Sequence, residues 1–280
     1  MNFINNMFNG LTIHKIQNKD KLLRPDLSYL ETPLTGHCNL NCKGCGTFSP
    51  ISPERYADLK GFIRDVNGLA KLFRNIRMFR FVGGEPLLHP RVAEFCIAAR
   101  KAFPSAGTGI YLVTNGILLP RMEDKFWEVL ADHRVSLDLT QYPIDIDIDK
   151  ISRTAEHHKI TLQIKKKTEF MKFHFNTAGN TDPEKAIRAC RSLYYSPFLD
   201  NGRMYPCDRP AIAHLLNSRF GTDFSACNED HLNIHDNDLT GPKIIDFLDH
   251  PIPFCRYCTT RTPTSFKWDL SKATADEWLD

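Results

Sequence analysis

Apolar and polar positions follow two repeating patterns along this chain from about residue 28. Short apolar runs rich in β-branched and aromatic residues indicate strands. They stand at 28–34, 78–82, 109–114, 135–140 and 160–165. The stretches between them place apolar residues at i, i+3, i+4 and i+7, which predicts amphipathic helices. These helices are expected at about 59–73, 91–102, 122–132 and 147–158. Strands that alternate with helices predict an α/β fold around a parallel sheet.

The alternation fades after about residue 168. Residues 175–185 are rich in Asn, Thr, Gly, Asp and Pro, a composition typical of a linker. The rest of the chain holds five of the nine cysteines. We therefore expect an N-terminal extension at 1–27, a core at 28–168 whose end could lie as late as about 185, and a small C-terminal domain at 186–280.

Composition and charge exclude several classes of function. The 280 residues are 42% hydrophobic, enough for a sizeable core, and 36 basic against 33 acidic residues leave a net charge of only +3. We therefore expect neither nucleic acid nor a membrane surface as a partner. No signal peptide is recognisable, and no apolar run approaches the roughly 18 residues of a membrane span. These features favour the cytoplasm, where an odd number of clustered cysteines indicates metal or redox chemistry.

The first cysteine group stands directly after the first predicted strand, in the segment GHCNLNCKGCGTF. Cys38, Cys42 and Cys45 form a C-x₃-C-x₂-C run in a glycine-containing loop. Three such thiolates can face one four-iron cluster and leave one iron without a protein ligand, which is an open coordination site. Closely spaced thiolates also suit zinc, so a zinc site is the alternative.

This spacing resembles the radical S-adenosylmethionine (SAM) superfamily, and a second motif supports the resemblance. Gly83, Gly84, Glu85 and Pro86 follow the second predicted strand and are similar to the GGEP motif of that superfamily. The resemblance implies a partial (β/α)6 TIM-like barrel and a [4Fe–4S] cluster on the three cysteines. It implies that SAM chelates the unligated iron, and that the GGEP backbone and glutamate hold the SAM amino group.

Three further positions bear on SAM binding through the same resemblance. Asn115 and Thr140 end the third and fourth predicted strands, where similar enzymes reach the SAM carboxylate or ribose. The dipeptide Asn115-Gly116 is also a common turn, so a purely structural role is the alternative there. The family usually has an aromatic residue before the third cysteine, packed against the adenine, and this chain has Gly44.

The second cysteine group lies in the C-terminal region. Cys190 and Cys207 stand in a C-x₁₁-G-x₄-C pattern, and Cys255 and Cys258 form a C-x₂-C pair. The pattern is similar to the twitch domain, a shortened SPASM extension of radical SAM enzymes, which implies an auxiliary [4Fe–4S] cluster. A Cys₄ zinc site fits the same residues. Cys227 is interpreted as a spare thiol or a replacement ligand.

The resemblance implies a reaction as well as cofactors. In the superfamily a reduced cluster passes an electron to SAM, and the resulting 5′-deoxyadenosyl radical removes hydrogen from an unactivated carbon. An auxiliary cluster could accept a second electron, which favours oxidation of an alcohol to a ketone, as in the aminocyclitol dehydrogenases that this chain resembles in size. Asp208 and Arg209 follow Cys207 and are candidates for substrate contact, with a surface ion pair as the alternative.

The expected partners are a sugar, cyclitol or similar small molecule and an electron donor of the flavodoxin or ferredoxin type. Peptide-modifying radical SAM maturases are the main rival, and only about 27 residues precede the first strand, which disfavours a leader-binding domain. Epimerisation would need a hydrogen donor such as Cys227. A non-catalytic metal-binding or electron-transfer protein is the alternative from another class.

Overall fold

The fold is described from a computed structural model that covers residues 24–172, 175–191 and 196–279. The expected extension at 1–27 lies outside the described residues up to residue 23. The strands are β1 Asp26–Thr35, β2 Asn75–Gly83, β3 Gly109–Thr114, β4 Val135–Gln141, β5 Leu162–Lys166, β6 Glu169–Lys172, β7 Phe198–Asp200, β8 Arg203–Tyr205, β9 Leu232–Asn233 and β10 Thr264–Lys267. The helices are α1 Leu59–Leu72, α2 Val92–Ala102, α3 Asp124–Asp132, α4 Ile148–His157, α5 Pro183–Arg191, α6 Arg209–Ile212, α7 His214–Phe220 and α8 Gly241–Leu248.

The first five strands form a parallel sheet in the order β5-β4-β3-β2-β1, and helices α1 to α4 connect them. The register pairs apolar residues across the sheet, for example Leu30 with Phe79 and Phe79 with Ile110. Such crossover connections are what parallel neighbours require. The predicted α/β class with a parallel sheet is confirmed, and each predicted strand and helix of this region is present.

Helix α1 shows how the apolar pattern produces the core. Asp58 caps the helix, because its Oδ2 accepts a hydrogen bond of 2.7 Å from the Gly61 backbone N–H. The buried stripe includes Phe62, whose ring lies 5.7 Å from that of Phe81 in β2. Burial of each such side chain contributes about 1.5–3 kcal/mol. On α2, Cys96 is fully buried in this same core, as its apolar helix face predicts.

Three strands of the chain after β5 extend the first sheet, and two others form a sheet of their own. Strand β7 pairs in parallel with β1 at Glu31, and β8 and β9 extend the same sheet by antiparallel pairing. Strand β6 pairs antiparallel with β10, near the far end of the chain. Helix α5 begins at Pro183, within the predicted linker. The domain boundary near residues 168 to 185 stays a prediction. Strands on its two sides pair with each other, as β1 does with β7.

A second apolar core underlies the C-terminal region. Its buried members come from five places in the chain: Phe48, Phe175, Ala213, Leu216, Phe224, Ile252, Phe254, Tyr257, Trp278 and Leu279. Phe48 belongs to the loop of the first cysteine group, so this core reaches from one cysteine group to the other. None of the helices in the described ranges has the length and apolar character needed to cross a bilayer.

Candidate active site

The loop after β1 carries the first cysteine group, and each of its sulfurs has a hydrogen-bond partner. The Cys38 Sγ accepts from the Leu40 N–H at 3.3 Å, and the Cys42 Sγ accepts from the Trp268 indole Nε1–H at 3.2 Å. The Cys45 Sγ lies 3.3 Å from the Thr47 hydroxyl. Donors at cluster sulfurs are typical of iron–sulfur sites.

Burial shapes the electrostatics of these thiols. It is the largest cause that raises the pKa of Cys38 to about 12; the Leu40 N–H lowers this pKa, and the nearby charges of Glu85, Cys45 and Cys42 contribute to the rise. Burial raises the pKa of Cys42 to about 11, against the lowering effect of the Trp268 hydrogen bond. A cationic metal centre would lower the raised pKa values of Cys38 and Cys42, because it stabilises their thiolate forms.

Aromatic side chains surround this group. The cysteines pack in one cluster with Leu40, Ile117, Tyr142, Ile144, Phe170, Phe266 and Trp268. Gly44, the departure from the family pattern, has φ of +60°, and a Cβ placed there would lie 2.7 Å from the Phe266 Cζ. A side chain at residue 44 would therefore collide with the Phe266 ring from β10, which fills the space beside Gly44.

Residues 264–279, the C-terminal segment, bind the cysteine loop along its length. The Lys43 N–H donates to the Asp269 carbonyl at 2.9 Å, and the Ser271 N–H donates to the Asn41 carbonyl at 2.8 Å. The Trp278 indole donates to the Cys45 carbonyl at 2.9 Å. The sequence analysis missed this segment, because nothing local in it indicates a partner more than two hundred residues away.

The GGEP motif lies directly against the cysteine loop. The Gly84 N–H donates to the Thr35 carbonyl at 3.0 Å, and the Glu85 N–H donates to the His37 carbonyl at 3.1 Å. A Cβ on Gly84 would lie 1.9 Å from the His37 carbonyl oxygen, and one on Gly83 would lie 2.3 Å from the Thr35 carbonyl oxygen. Only glycine permits this approach, so the two motifs are joined through backbone contacts.

The Glu85 side chain ties the motif to the end of β3. Its carboxylate accepts hydrogen bonds from the Leu87 N–H at 3.0 Å, the Thr114 hydroxyl at 2.7 Å and the Asn115 N–H at 2.8 Å. Burial raises its pKa to about 7, although these donors lower it. Its predicted contact with the SAM amino group stays a prediction. Pro86 begins the short turn that follows.

Asn115 and Thr140 lie at the strand ends, as predicted, but in different surroundings. The Asn115 Nδ2 donates to the Asn39 Oδ1 at 2.8 Å and lies 3.6 Å from the Cys38 Sγ, so Asn115 belongs to the cysteine site. Thr140 pairs with Lys165 across β4 and β5 and is half-buried. Their roles toward SAM stay predictions.

A charged layer crosses the inner face of the sheet, and the sequence analysis missed it. Arg80 donates through Nη2 to the Asp138 Oδ2 at 2.7 Å and through Nη1 to Glu31 at 3.3 Å. Lys165 donates to the same Asp138 oxygen at 2.9 Å, and Tyr29 joins Arg80 at 2.6 Å. Polar residues inside apolar strands, such as Arg80 in MFRFV, were the available signal.

Two atoms of the charged layer are buried without a hydrogen-bond partner among the described residues. They are the Arg80 Nε and the Asp138 Oδ1. Asp138 is only 3% exposed. Unpaired buried polar atoms cost free energy, so they indicate a water or ligand group that completes them.

Asp208 and Arg209 link this layer with both cysteine groups. The Arg209 guanidinium lies 5.4 Å from the ring centre of Phe48 and 5.2 Å from that of Phe175. Its Nε lies 3.6 Å from the Asp208 Oδ1, and the pair is mostly buried, which differs from an ordinary surface ion pair. Burial raises the pKa of Asp208, and burial is also the main cause that raises the pKa of Glu31, with a smaller contribution from the charge of Asp208.

The charges of the second-group cysteines act on one another's pKa values, although these residues lie far apart in the chain. Burial raises the pKa of Cys207, and the charges of Asp208, Cys258 and Cys190 add to the rise. Burial also raises the pKa of Cys255 and of Cys258, and the charge of Cys190 makes a smaller contribution. Such effects weaken with distance. That these four cysteines bind one metal site stays a prediction.

Asp230 organises the surroundings of the C-x₂-C pair. This fully buried carboxylate accepts from the Phe254 N–H and from the Cys227 N–H, both at 2.7 Å. The Cys258 N–H then closes a turn onto the Cys255 carbonyl at 3.0 Å. Cys227 itself is exposed, and its role stays open.

Across 24–172, 175–191 and 196–279, no group of three or more His, Cys, Asp or Glu side chains is arranged to hold one metal ion. One zinc ion requires each sulfur at about 2.3 Å from it, whereas the cysteines of a four-iron cluster bind different irons. The three thiols of the first group and the donors at their sulfurs fit a cluster with one open iron. Metal analysis of the iron-loaded protein distinguishes a zinc site from an iron–sulfur cluster.

Parts of the chain are similar in sequence to known proteins. Residues 32–168 match the family model described as the radical SAM superfamily. A GTP 3′,8-cyclase of Chlorobaculum tepidum is 34% identical over 113 residues, 40% of this chain and 33% of that protein. Molybdenum cofactor biosynthesis protein 1 of Bos taurus is 33% identical over 147 residues, 51% of this chain and 22% of that protein. The chain thus spans a third or less of these relatives' lengths.

Solved structures resemble the chain more weakly in sequence. BtrN in complex with AdoMet and 2-DOIA shares 17% identity at a TM-score of 0.49, covering 83% of this chain and 92% of that chain. Native anSMEcpe with bound AdoMet shares 15% identity at a TM-score of 0.48, covering 84% and 90%. The family match coincides with the five parallel strands, the cysteine loop and the GGEP motif. Residues 32–168 of this chain are thus a radical SAM domain.

Proposed function

We propose that this protein is a radical SAM oxidoreductase that oxidises an alcohol of a small polyhydroxylated substrate by two electrons. The observation that carries the proposal is the position of Asp208. This carboxylate directly follows Cys207 of the second cysteine group and acts electrostatically on Glu31 of the charged layer. A proton acceptor, an electron acceptor and a polar surface for substrate would therefore share one space.

The proposed cofactors divide between the two cysteine groups. Cys38, Cys42 and Cys45 would hold the catalytic [4Fe–4S] cluster, and Cys190, Cys207, Cys255 and Cys258 would hold an auxiliary one. When bound, the catalytic cluster and SAM supply a hydrogen-abstracting 5′-deoxyadenosyl radical. Gly83, Gly84 and Pro86 would present backbone atoms to SAM, Glu85 would hold that backbone against β3, and Asn115 and Thr140 would contact the SAM carboxylate or ribose.

The oxidation balances with the groups at this site. The carbinol carbon would lose a hydrogen atom to the SAM-derived radical, the Asp208 carboxylate would accept the hydroxyl proton, and an auxiliary cluster held by the second cysteine group would take the remaining electron. A carbonyl forms from the alcohol. Arg209, held between Phe48 and Phe175, would keep Asp208 oriented and stabilise its ionised form.

The charged layer supports a hydroxylated substrate. A hydroxyl group can accept from the Arg80 Nε–H and donate to the Asp138 Oδ1, the two atoms that are buried without a partner among the described residues. Glu31, Asp138 and Asp208 bring three carboxyl groups to this space, and Arg80, Lys165 and Arg209 already pair with them, so among the described residues no cation of the layer is left without an anionic partner for a phosphate to neutralise. We therefore favour a neutral sugar or cyclitol over a phosphorylated compound.

A purine nucleotide is the second candidate substrate. It is supported by the relatives named GTP 3′,8-cyclase, which match this chain over a part of its length. Lys165, 61% exposed beside Asp138, is a cation that could face such a ligand. Peptide modification and epimerisation have no contact among the described residues that favours them.

The test is anaerobic reconstitution with iron and sulfide, followed by dithionite, SAM and a panel of deuterated sugars, cyclitols and GTP. We expect 5′-deoxyadenosine to form and to carry deuterium from one hydroxylated ring compound, with a ketone as product. Deuterium transfer from GTP alone would favour the nucleotide. A protein that forms no 5′-deoxyadenosine, or that holds only zinc, would be the non-catalytic metal-binding alternative.

A matched pair of variants examines Asp208. Asp208→Asn should abolish ketone formation and leave SAM cleavage in place, because the amide cannot accept the proton. Asp238→Asn, at an exposed position, should behave as the parent protein. Ketone formation by Asp208→Asn at the parental rate would remove Asp208 from the reaction.

A further inference from the structure

The indole of Trp268 donates its N–H to a cysteine sulfur of the first group. The Nε1 to Sγ distance is 3.2 Å, and the acceptor is Cys42, which is 5% exposed. This contact joins the C-terminal segment to a cysteine that lies more than two hundred residues earlier. It has no part in the proposed substrate chemistry.

Backbone contacts fix the indole in place. Trp268 directly follows β10, and its own N–H donates to the Thr168 carbonyl at 2.8 Å. On the other side, the Lys43 N–H donates to the Asp269 carbonyl, and Leu270 forms a bridge with Cys42. The indole ring also packs 6.3 Å from the ring of Tyr142. The N–H is therefore held toward the sulfur from both sides.

A fixed N–H dipole aimed at a cluster sulfur favours the more negative state of that cluster. Reduction adds one negative charge, and the sulfurs share it, so a donor stabilises the reduced form more than the oxidised form. Hydrogen bonds to sulfurs are among the factors that set iron–sulfur potentials. The aromatic surroundings strengthen this electrostatic interaction, because their low dielectric constant screens the N–H dipole less than water would.

We propose that Trp268 is a positioning residue that acts through Cys42 to raise the reduction potential of the catalytic cluster. The cluster would then accept an electron from a milder donor than it would without this indole. The inference depends on the cluster at Cys38, Cys42 and Cys45 and not on the substrate or on the auxiliary cluster.

The chain offers a matched control in Trp278. Its indole comes from the same segment and donates at 2.9 Å, but to the backbone carbonyl of Cys45 and not to a sulfur. Trp268→Phe and Trp278→Phe each remove one indole N–H and keep an aromatic ring. A general loosening of the C-terminal segment would affect both variants, whereas loss of the sulfur contact affects only the first.

The experiment measures the midpoint potential of the catalytic cluster in the full-length, iron-loaded protein, by EPR at a series of poised potentials. The cluster is identified by the change that SAM produces in its signal. We expect a shift to a more negative potential in Trp268→Phe and no shift in Trp278→Phe. An unchanged potential in Trp268→Phe, or equal shifts in both variants, overturns the inference and leaves the proposed function standing.

A second measurement needs no folded variant. In the parent protein grown with ¹⁵N-indole tryptophan, pulsed EPR of the reduced, SAM-responsive cluster should show a ¹⁵N coupling through the sulfur contact. Absence of that coupling overturns the proposal. Its presence supports the proposal even if Trp268→Phe fails to take up iron, and Trp278→Phe should retain it.

Discussion

The first cysteine group comes from one loop, residues 38–45, whereas the second comes from Cys190, Cys207, Cys255 and Cys258, in separate elements. The first depends on the local course of the chain and on two glycines that let the GGEP backbone approach it. The second would depend on the fold of the whole C-terminal region, because helix α5, the segment after strand β8 and the C-x₂-C turn would all have to be in place to bring its thiols to one site.

The surroundings of the two groups also differ. Aromatic rings and the C-terminal segment cover the first group, and its three sulfurs each have a hydrogen-bond partner. The second group lies beside the Asp208–Arg209 pair and a buried carboxylate, Asp230. A local site with an open ligand position suits catalysis, and a dispersed site of four thiols suits storage or transfer of electrons.

Removal of one cysteine from each group should separate these roles most strongly. Cys42→Ala should abolish SAM cleavage, because the catalytic cluster loses one of its three ligands. Cys255→Ala should retain SAM cleavage and lose substrate oxidation, because only the electron acceptor is affected. Release of 5′-deoxyadenosine and of product by each variant is the measurement. Loss of SAM cleavage in both would show that the two groups depend on each other.

The dependence of the first group on backbone contact is examined by Gly84→Ala. The added Cβ would lie 1.9 Å from the His37 carbonyl oxygen, so the GGEP motif must move away from the cysteine loop. We expect the SAM dissociation constant to rise at least about tenfold, or about 1.4 kcal/mol. Gly46→Ala is the control, since its nearest atom would lie 3.9 Å away. Equal affinity in the two variants, measured by calorimetry, would contradict the prediction.

The dependence of the second group on distant contacts is examined by Asp230→Asn. The amide keeps one acceptor and turns an N–H₂ toward a buried backbone N–H, which should cost about 1–3 kcal/mol of unfolding free energy. Urea unfolding and the iron content of the auxiliary site are the measurements. Asp238→Asn, at the surface, should change neither. Full iron content with unchanged stability would show that Asp230 does not organise the C-x₂-C turn.

The smallest effect is expected at Cys227. Its side chain is exposed, and we expect Cys227→Ser to change stability by no more than about 0.5 kcal/mol and to leave the iron content intact. Iron analysis and product formation provide the check. A loss of auxiliary iron would make Cys227 a ligand, and a selective loss of an epimerised product would make it a hydrogen donor.

The sequence by itself determined the parallel α/β core and the first cysteine site. Periodicities of two and about 3.6 residues are carried by neighbours in the chain, so the strands and helices from β1 to β5 could be predicted from local pattern. The cysteine loop and the GGEP motif were recognisable for the same reason, since each is a short run of fixed spacing. Gly84 fits against the His37 carbonyl because glycine has no Cβ.

Only the tertiary structure decided which distant residues meet. Arg80 on β2 and Asp138 on β4 come together because β3 lies between these two strands in the parallel sheet, and sequence gives neither strand order nor register. Trp268 reaches Cys42 because β10 pairs with β6, a contact between segments almost a hundred residues apart. Burial of apolar surface across the whole fold stabilises such contacts. The sequence near the residues that make them shows no periodic pattern that would predict them.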